Sequence, residues 1–142
     1  MRYIILLSLF LLPSCSNSKS IPLEGMFVSN GEKTIHWMIE SNHPWVESPD
    51  WEKYQSIYQQ DNPLLHSWSN GTAKVGIPSD MSMTIANNWT VVDEKTFKKT
   101  VSADNMEHDQ FVTLVIISTD EYYIDTEADD KVFREYFIRR KG

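Results

Sequence analysis

The sequence has very little cysteine: Cys15 is the only one in 142 residues. One thiol excludes an intramolecular disulfide, so covalent cross-links cannot stabilise the fold. Apolar residues make up 41% of the chain and aromatic residues 12%. This composition is not that of a disordered protein, and the length suits one domain better than two. We therefore expect a single globular unit with its own hydrophobic core.

Basic residues are also scarce, with 13 Lys and Arg against 20 Asp and Glu and a net charge of −7. Nucleic-acid binding requires a basic face for the phosphates, and attachment to anionic lipid by charge alone requires a basic cluster. We therefore predict no nucleic-acid partner. An acidic surface keeps a domain soluble, and it also suits a cationic partner protein.

The sequence lacks an apolar run long enough to span a membrane. The run at its start covers residues 3–12, ten residues, whereas a helix needs about twenty to cross the hydrocarbon core. Arg2 precedes this run and small residues follow it. A positive start, a short apolar segment and small residues are typical of a secretory signal peptide.

The run closes with Leu12-Pro13-Ser14-Cys15, which resembles the lipobox of bacterial lipoproteins, with Pro13 as a departure from the usual pattern. The resemblance implies cleavage before Cys15, a diacylglyceryl thioether on its sulfur and an acyl group on its new amine. Residues 1–14 are then the signal peptide, residues 15–20 a lipidated tether and residues 21–142 the globular domain. In a Gram-negative cell, Ser16 favours sorting to the outer membrane.

Motifs of catalysis are missing. There is no Gly-x-Ser-x-Gly elbow, no Gly-rich phosphate loop and no dinucleotide fingerprint. The histidines His36, His43, His66 and His108 form no His-x-x-x-His pair, although His36 and Glu40 are spaced for a surface pair. We therefore predict neither an enzyme nor a metal site, and no cofactor beyond the lipid on Cys15.

An acidic run from Asp120 to Asp130 invites a comparison with calcium-binding loops. Counted from Asp125, the sixth position is Asp130 rather than Gly and the twelfth is Tyr136 rather than Glu. The EF-hand pattern therefore fails, and we expect a solvated acidic loop.

Two helical stretches are predicted after a short first strand at residues 23–28. The first covers residues 32–40, where apolar residues recur at helical spacing and Ser29 with Glu32 forms a capping-box pattern. The second starts at Ser48-Pro49-Asp50 and is expected to continue through Leu64, Leu65 and Trp68, ending at Ser69-Asn70-Gly71.

From Thr72 onward the apolar period is two, which predicts strands. They fall at residues 73–77, 81–86, 89–92, 96–102, 111–118 and 122–125, with a turn at Asn87-Asn88. Residues 111–118 are apolar on both faces and predict a central strand buried on both sides. Residues 132–139 fit a helix or a strand, and we favour an edge or closing strand.

These elements predict an α+β fold. An antiparallel meander forms a curved sheet or open barrel, and two or three helices inserted after the first strand cover one face of it. Gly25-Met26-Phe27 stands where lipocalin-like proteins carry Gly-x-Trp on their first strand. On this resemblance we expect a lipocalin-like open barrel.

Aromatic residues concentrate in the helical half of the chain. Most of them must fill the core, and a minority could line a groove. The candidate groove residues are Trp37, Trp51, Tyr54, Trp68 and Phe111. We therefore expect a non-catalytic, membrane-anchored binding module of the cell envelope for an apolar ligand or an envelope protein. The alternative is a periplasmic inhibitor or immunity protein that binds a cationic enzyme.

Overall fold

A computed structural model describes residues 20–59, 63–101, 109–128 and 130–142. The predicted signal peptide, Cys15 and nearly all of the tether lie outside the described residues. The elements, in chain order, are β1 (Gly25–Ser29), α1 (Gly31–Glu40), a 3₁₀-helix (Pro44–Glu47), α2 (Trp51–Tyr58), β2 (Leu65–Ser69), β3 (Thr72–Ile77), β4 (Asp80–Ile85), β5 (Thr90–Val91), β6 (Thr96–Val101), β7 (Gln110–Ser118), β8 (Glu121–Ala128) and β9 (Lys131–Arg139). Within the described ranges, no helix is long and apolar enough to cross a membrane.

The strands of the described chain form one nine-stranded antiparallel sheet in the order β4-β3-β2-β1-β9-β8-β7-β6-β5. The sheet curls into a half-barrel, and the helices follow the first strand. This confirms the predicted α+β, lipocalin-like open barrel. Only residues 86–89 connect β4 to β5, the two edge strands. A fully extended chain of that length spans at most roughly 18 Å, so the end of β4 lies within that distance of the start of β5 across the gap between the two edges.

The structure corrects two details of the predicted connections and helix ends. Asn87-Asn88 does not join a hairpin, because β4 pairs with β3 and β5 pairs with β6. The segment instead crosses from one edge of the sheet to the other. The N-cap of α1 is Asn30 rather than Ser29, since the Asn30 side chain accepts a hydrogen bond from the Lys33 backbone N–H.

The predicted continuation of the second helix through Leu64, Leu65 and Trp68 is wrong. Helix α2 ends at Tyr58, and Leu65–Ser69 is strand β2. Asn70 and Gly71 adopt positive φ angles of 51° and 77°, the backbone that joins tight hairpins. The turn at this position was predicted, but it connects two strands and does not end a helix.

Strand β9 confirms the strand at residues 132–139 but not its place. It pairs with β1 and with β8 and is the central strand of the sheet, not an edge or closing strand.

The prediction that residues 111–118 form a central strand buried on both sides is wrong for strand β7. Phe111 is 56% exposed and Ile117 40% exposed, so only the face that carries Leu114 is buried. The apolar residues of its other face remain in contact with solvent.

The helices cover an edge of β9 instead of lying across one face of the sheet. Strand β1 ends at Ser29, opposite Phe137, so the earlier part of β9 has no strand partner on that side. The Asn30 N–H donates to the Tyr136 carbonyl (2.7 Å), and the Tyr136 N–H donates to the Thr34 hydroxyl (3.1 Å). Helix α1 thus satisfies backbone groups that an open edge would expose.

The core lies on the concave face of the sheet. In an antiparallel pair, directly opposed residues share a face, and Tyr122 is opposite Phe137 while Phe97 is opposite Leu114. We call the fully buried side chains of this face the closed core, and their exposure is at most 2%: Phe27, Trp68, Phe97, Leu114, Tyr122 and Phe137. Ile21 and Leu23 pack against them from the segment before β1.

Candidate functional site

The structure does not gather the five predicted groove residues at one place. Trp68 is 2% exposed and belongs to the closed core, whereas Phe111 lies on the opposite face of the sheet from Leu114. Trp37 is on α1, over the Arg134 guanidinium, and Tyr54 and Trp51 are on α2. No common groove therefore includes both Trp68 and Phe111.

The helical aromatic residues form a cluster that packs on the start of β9. The Trp45 ring stacks on Tyr54 with centroids 4.5 Å apart, and it lies 5.1 Å from Phe133. Tyr58 is 5.9 Å from the same Phe133 ring. Phe133 shares the concave face with Phe137, so this cluster closes one end of the barrel interior.

A hydrogen-bonded group lies within the closed core. The Tyr122 hydroxyl accepts a hydrogen bond from Trp68 Nε1 (2.9 Å) and lies 2.6 Å from His66 Nδ1. Burial lowers the pKa of His66 to about 3, so its imidazole is neutral. Its Nδ1 then accepts a hydrogen bond from the Tyr122 hydroxyl. The His66 ring also stacks on Phe137 at 4.0 Å. These three polar side chains satisfy one another, as buried polar groups must.

Glu135 has no such partner. It lies opposite Ile124 on the concave face, between Phe133 and Phe137, and it makes no hydrogen bond or ion pair with any residue that the structure describes. Burial raises the pKa of its carboxyl from 4.5 to about 7. Burial, and after it the charge of Glu135, raises the pKa of Tyr58. A half-buried carboxyl that has aromatic neighbours on its face of the strand and a pKa raised to about 7 is typical of a binding or catalytic group.

A second polar position lies further along the concave face. Lys99 is opposite Val112 on β7, and its ammonium is 5.0 Å from the centre of the Trp89 ring. Burial lowers the pKa of Lys99. Trp89 Nε1 is buried, and it has no hydrogen-bond partner in the part of the chain that the structure describes. The interior of the barrel thus carries polar groups at separate points among apolar side chains.

The gap between the two edge strands exposes apolar residues of the concave face. Met83 is opposite the buried Val75, and Val91 is opposite the buried Phe97, yet Met83 is 68% exposed and Val91 37% exposed. Ile85, opposite Ala73, is partly buried between them. We call Met83, Ile85 and Val91 the open seam, since they line the opening into the barrel interior.

The remaining candidates have structural explanations. The expected acidic loop is in part strand β8, where Asp125 accepts two hydrogen bonds from Arg134 (2.7 and 2.9 Å). His36 pairs with Glu40 at 3.1 Å on the surface of α1, as its spacing suggests. Within the described ranges, no group of three or more His, Cys, Asp or Glu side chains is placed to hold a metal ion. His108 lies outside those ranges.

Comparisons with known proteins give no lead to the site: no protein-family model, no curated protein and no solved structure matches this chain. The assignment of a function therefore depends on the geometry of the barrel and on the sequence at Cys15.

Sequence reasoning missed Glu135, Tyr122 and His66 as a group. The signal for Glu135 was present, since Phe133-Arg134-Glu135-Tyr136-Phe137 places an acid between two aromatic residues on one face of a strand. It could be read only once the segment was known to be the central strand. The pairing of His66 with Tyr122 depends on strands far apart in sequence and had no local signal.

Proposed function

We propose that this chain is a cell-envelope lipoprotein, anchored by lipid on Cys15, whose open barrel binds an apolar small molecule. The anchor is supported by the resemblance of residues 12–15 to a lipobox, and Ser16 favours the outer membrane in a Gram-negative cell. One acyl chain holds a protein to a membrane only marginally, so the two or three chains of a lipidated cysteine would make attachment lasting.

The binding role is supported above all by the open seam. Met83 and Val91 belong by register to the same face as the closed core, but among the described residues both remain exposed, Met83 at 68% and Val91 at 37%. Exposed apolar surface that continues into a barrel interior is typical of a ligand entrance. The interior also offers the small number of polar groups that orient a ligand: Glu135, Lys99 and Trp89 Nε1.

The test of binding compares two faces of one edge strand. Titration of the full chain with the apolar fluorophore N-phenyl-1-naphthylamine is expected to show saturable binding. Met83→Asp places a charge at the seam and should weaken binding about tenfold or more, because a charge in an apolar entrance must be desolvated. Thr84→Asp, on the opposite and exposed face of β4, is the matched control. Equal affinities for the two variants, or no binding by the unaltered chain, would contradict the proposal.

The test of the anchor is separate. Cys15→Ala is expected to abolish incorporation of labelled palmitate and to move the protein from the membrane pellet to the soluble fraction. Ser16→Ala retains the thiol and should keep both properties. Unchanged palmitate labelling of Cys15→Ala would show that the lipobox resemblance is misleading.

A further inference from the structure

The carboxyl of Glu135 is unusual among the acids of this protein. Glu127 of the neighbouring strand β8 is exposed to solvent, and the other two carboxyl groups of that strand have cationic partners: Asp125 pairs with Arg134, and Glu121 pairs with Lys33. Those ion pairs lie on the convex face. Glu135 lies on the concave face. By register Lys99 and Arg139 share that face, but Lys99 lies over the Trp89 ring and Arg139 pairs with Asp120. The charge of Glu135, when present, therefore has no ion-pair partner among the described residues.

The neighbours of this carboxyl include several aromatic residues. Phe133 and Phe137 flank it on β9, and Tyr122 of β8 and Tyr58 of α2 are near enough to respond to its charge. The Tyr58 and Phe133 rings lie 5.9 Å apart, and the Tyr122 and Phe137 rings are stacked at 5.0 Å. Aromatic faces carry negative electrostatic potential, and they attract organic cations.

These features together select the class of ligand. Small metal ions retain a shell of polar ligands, which an apolar wall with one carboxyl cannot replace. An organic ammonium is weakly hydrated, fits among aromatic rings and supplies the missing positive charge. The net charge of −7 favours the approach of a cation as well.

We propose that the barrel interior binds an apolar molecule that carries an ammonium group, with the ammonium beside Glu135 and its substituents against the half-buried rings of Tyr58 and Phe133. This inference rests on the proposed function and names its ligand class. The open seam would admit the molecule, and the closed core would form the floor beneath the charged group.

Protonation of Glu135 should then control affinity. Burial holds its pKa at about 7, so the carboxyl is ionised at pH 8 and protonated at pH 5.5. Of the neighbouring titratable groups, Tyr58 and Tyr122 have pKa values raised by burial and stay neutral in this range. His66 is neutral as well, and Arg134 and Lys33 are on the opposite face, each in an ion pair. On the face of Glu135 itself, Arg139 is paired with Asp120, and Lys99 lies three strands away over the Trp89 ring. The charge that changes beside the ligand is thus that of Glu135.

The experiment uses three probes of similar size with the full chain: phenyltrimethylammonium, its neutral isostere tert-butylbenzene, and benzenesulfonate. Calorimetric titration at pH 8 is expected to show the cation binding about tenfold more tightly than the neutral probe, and the anion more weakly than both. Glu135→Gln should remove the preference for the cation while leaving the neutral probe unchanged. Glu127→Gln, which alters an exposed acid of β8, should keep the preference.

A second measurement does not depend on a variant that folds. For the unaltered chain, lowering the pH from 8 to 5.5 should weaken the cation about tenfold and leave the neutral probe unaffected. Equal affinity for the cation and the neutral isostere at pH 8, or a preference for benzenesulfonate, would overturn the inference while the proposed function stands. Failure of every probe, including N-phenyl-1-naphthylamine, would overturn the proposed function itself.

Discussion

Side chains on one face of one sheet differ sharply between the closed core and the open seam. Trp68 and Phe137 are at most 2% exposed, whereas Met83 is 68% exposed, although all three point into the barrel. The core is closed because β1 brings the two halves of the sheet together through β9. At the seam, the outer edges of β4 and β5 have no strand partner among the described residues. The difference shows which part of the interior specifies the fold and which part remains exposed to solvent.

Truncation of a side chain in the closed core should lower the free energy of unfolding more than any other change proposed here. Phe137→Ala removes a ring that contacts His66 and Tyr122, and large-to-small changes of this kind cost about 3–5 kcal/mol. Met83→Ala at the seam should change the free energy of unfolding by less than about 0.5 kcal/mol. Urea unfolding of both variants is the measurement. Comparable losses for the two would mean that the seam is part of the folded core.

The pH dependence of stability separates the two buried titratable groups. Glu135 keeps its proton up to about pH 7 in the folded state but releases it near 4.5 when unfolded, so its contribution falls as pH rises from 4.5 to 7. His66 takes up its proton near 6.5 when unfolded and near 3 when folded, so its contribution falls as pH decreases from 6.5 to 3. Between pH 4.5 and 6.5 the two effects oppose each other.

Glu135→Gln should expose the effect of His66. Relative to the unaltered chain, the variant is expected to gain up to about 3 kcal/mol as pH rises from 4.5 to 7, because the buried carboxylate is absent. Urea unfolding at a series of pH values measures the gain, with Glu127→Gln as the control. A difference between variant and parent that is constant with pH would show that Glu135 titrates as an ordinary surface acid.

A smaller effect is expected at the hydrogen-bonded group of the closed core. Tyr122→Phe keeps the ring but leaves Trp68 Nε1 and His66 Nδ1 without their shared partner, which should cost about 1–3 kcal/mol. Tyr123→Phe on the opposite face is the matched control, since the Tyr123 hydroxyl makes no hydrogen bond with the described part of the chain. The two unfolding free energies should therefore differ. Equal stability would indicate that water replaces the Tyr122 hydroxyl.

Local patterns predicted much of the fold, and non-local pairing accounts for what they missed. Helix α1 and the Asn70-Gly71 turn could be read directly, because spacing and turn chemistry are local properties. Leu64, Leu65 and Trp68 fit both a helical face and an alternating strand, and only pairing with β1 and β3 decides between them. The choice of strand was therefore beyond local reasoning.

The candidate site was less predictable than the fold. An acid in a strand looks the same in sequence whether it faces water or the barrel interior, and Glu135 became distinctive only when β9 was placed at the centre of the sheet. Met83 was read correctly as a strand residue. Its exposure depends on β4 being an edge strand, which is a property of the whole sheet.

The pairing of β1 with β9 also sets the order in which this protein can fold. Phe27 lies opposite Arg139, and the Arg139 guanidinium donates hydrogen bonds to the Glu24 and Thr119 carbonyls. The pairing of the first strand with β9 must therefore wait until the last strand is synthesised, and contacts between such distant residues form slowly. Under the proposed lipoprotein assignment, this delay would keep the central strands apart until the chain reaches the secretion channel.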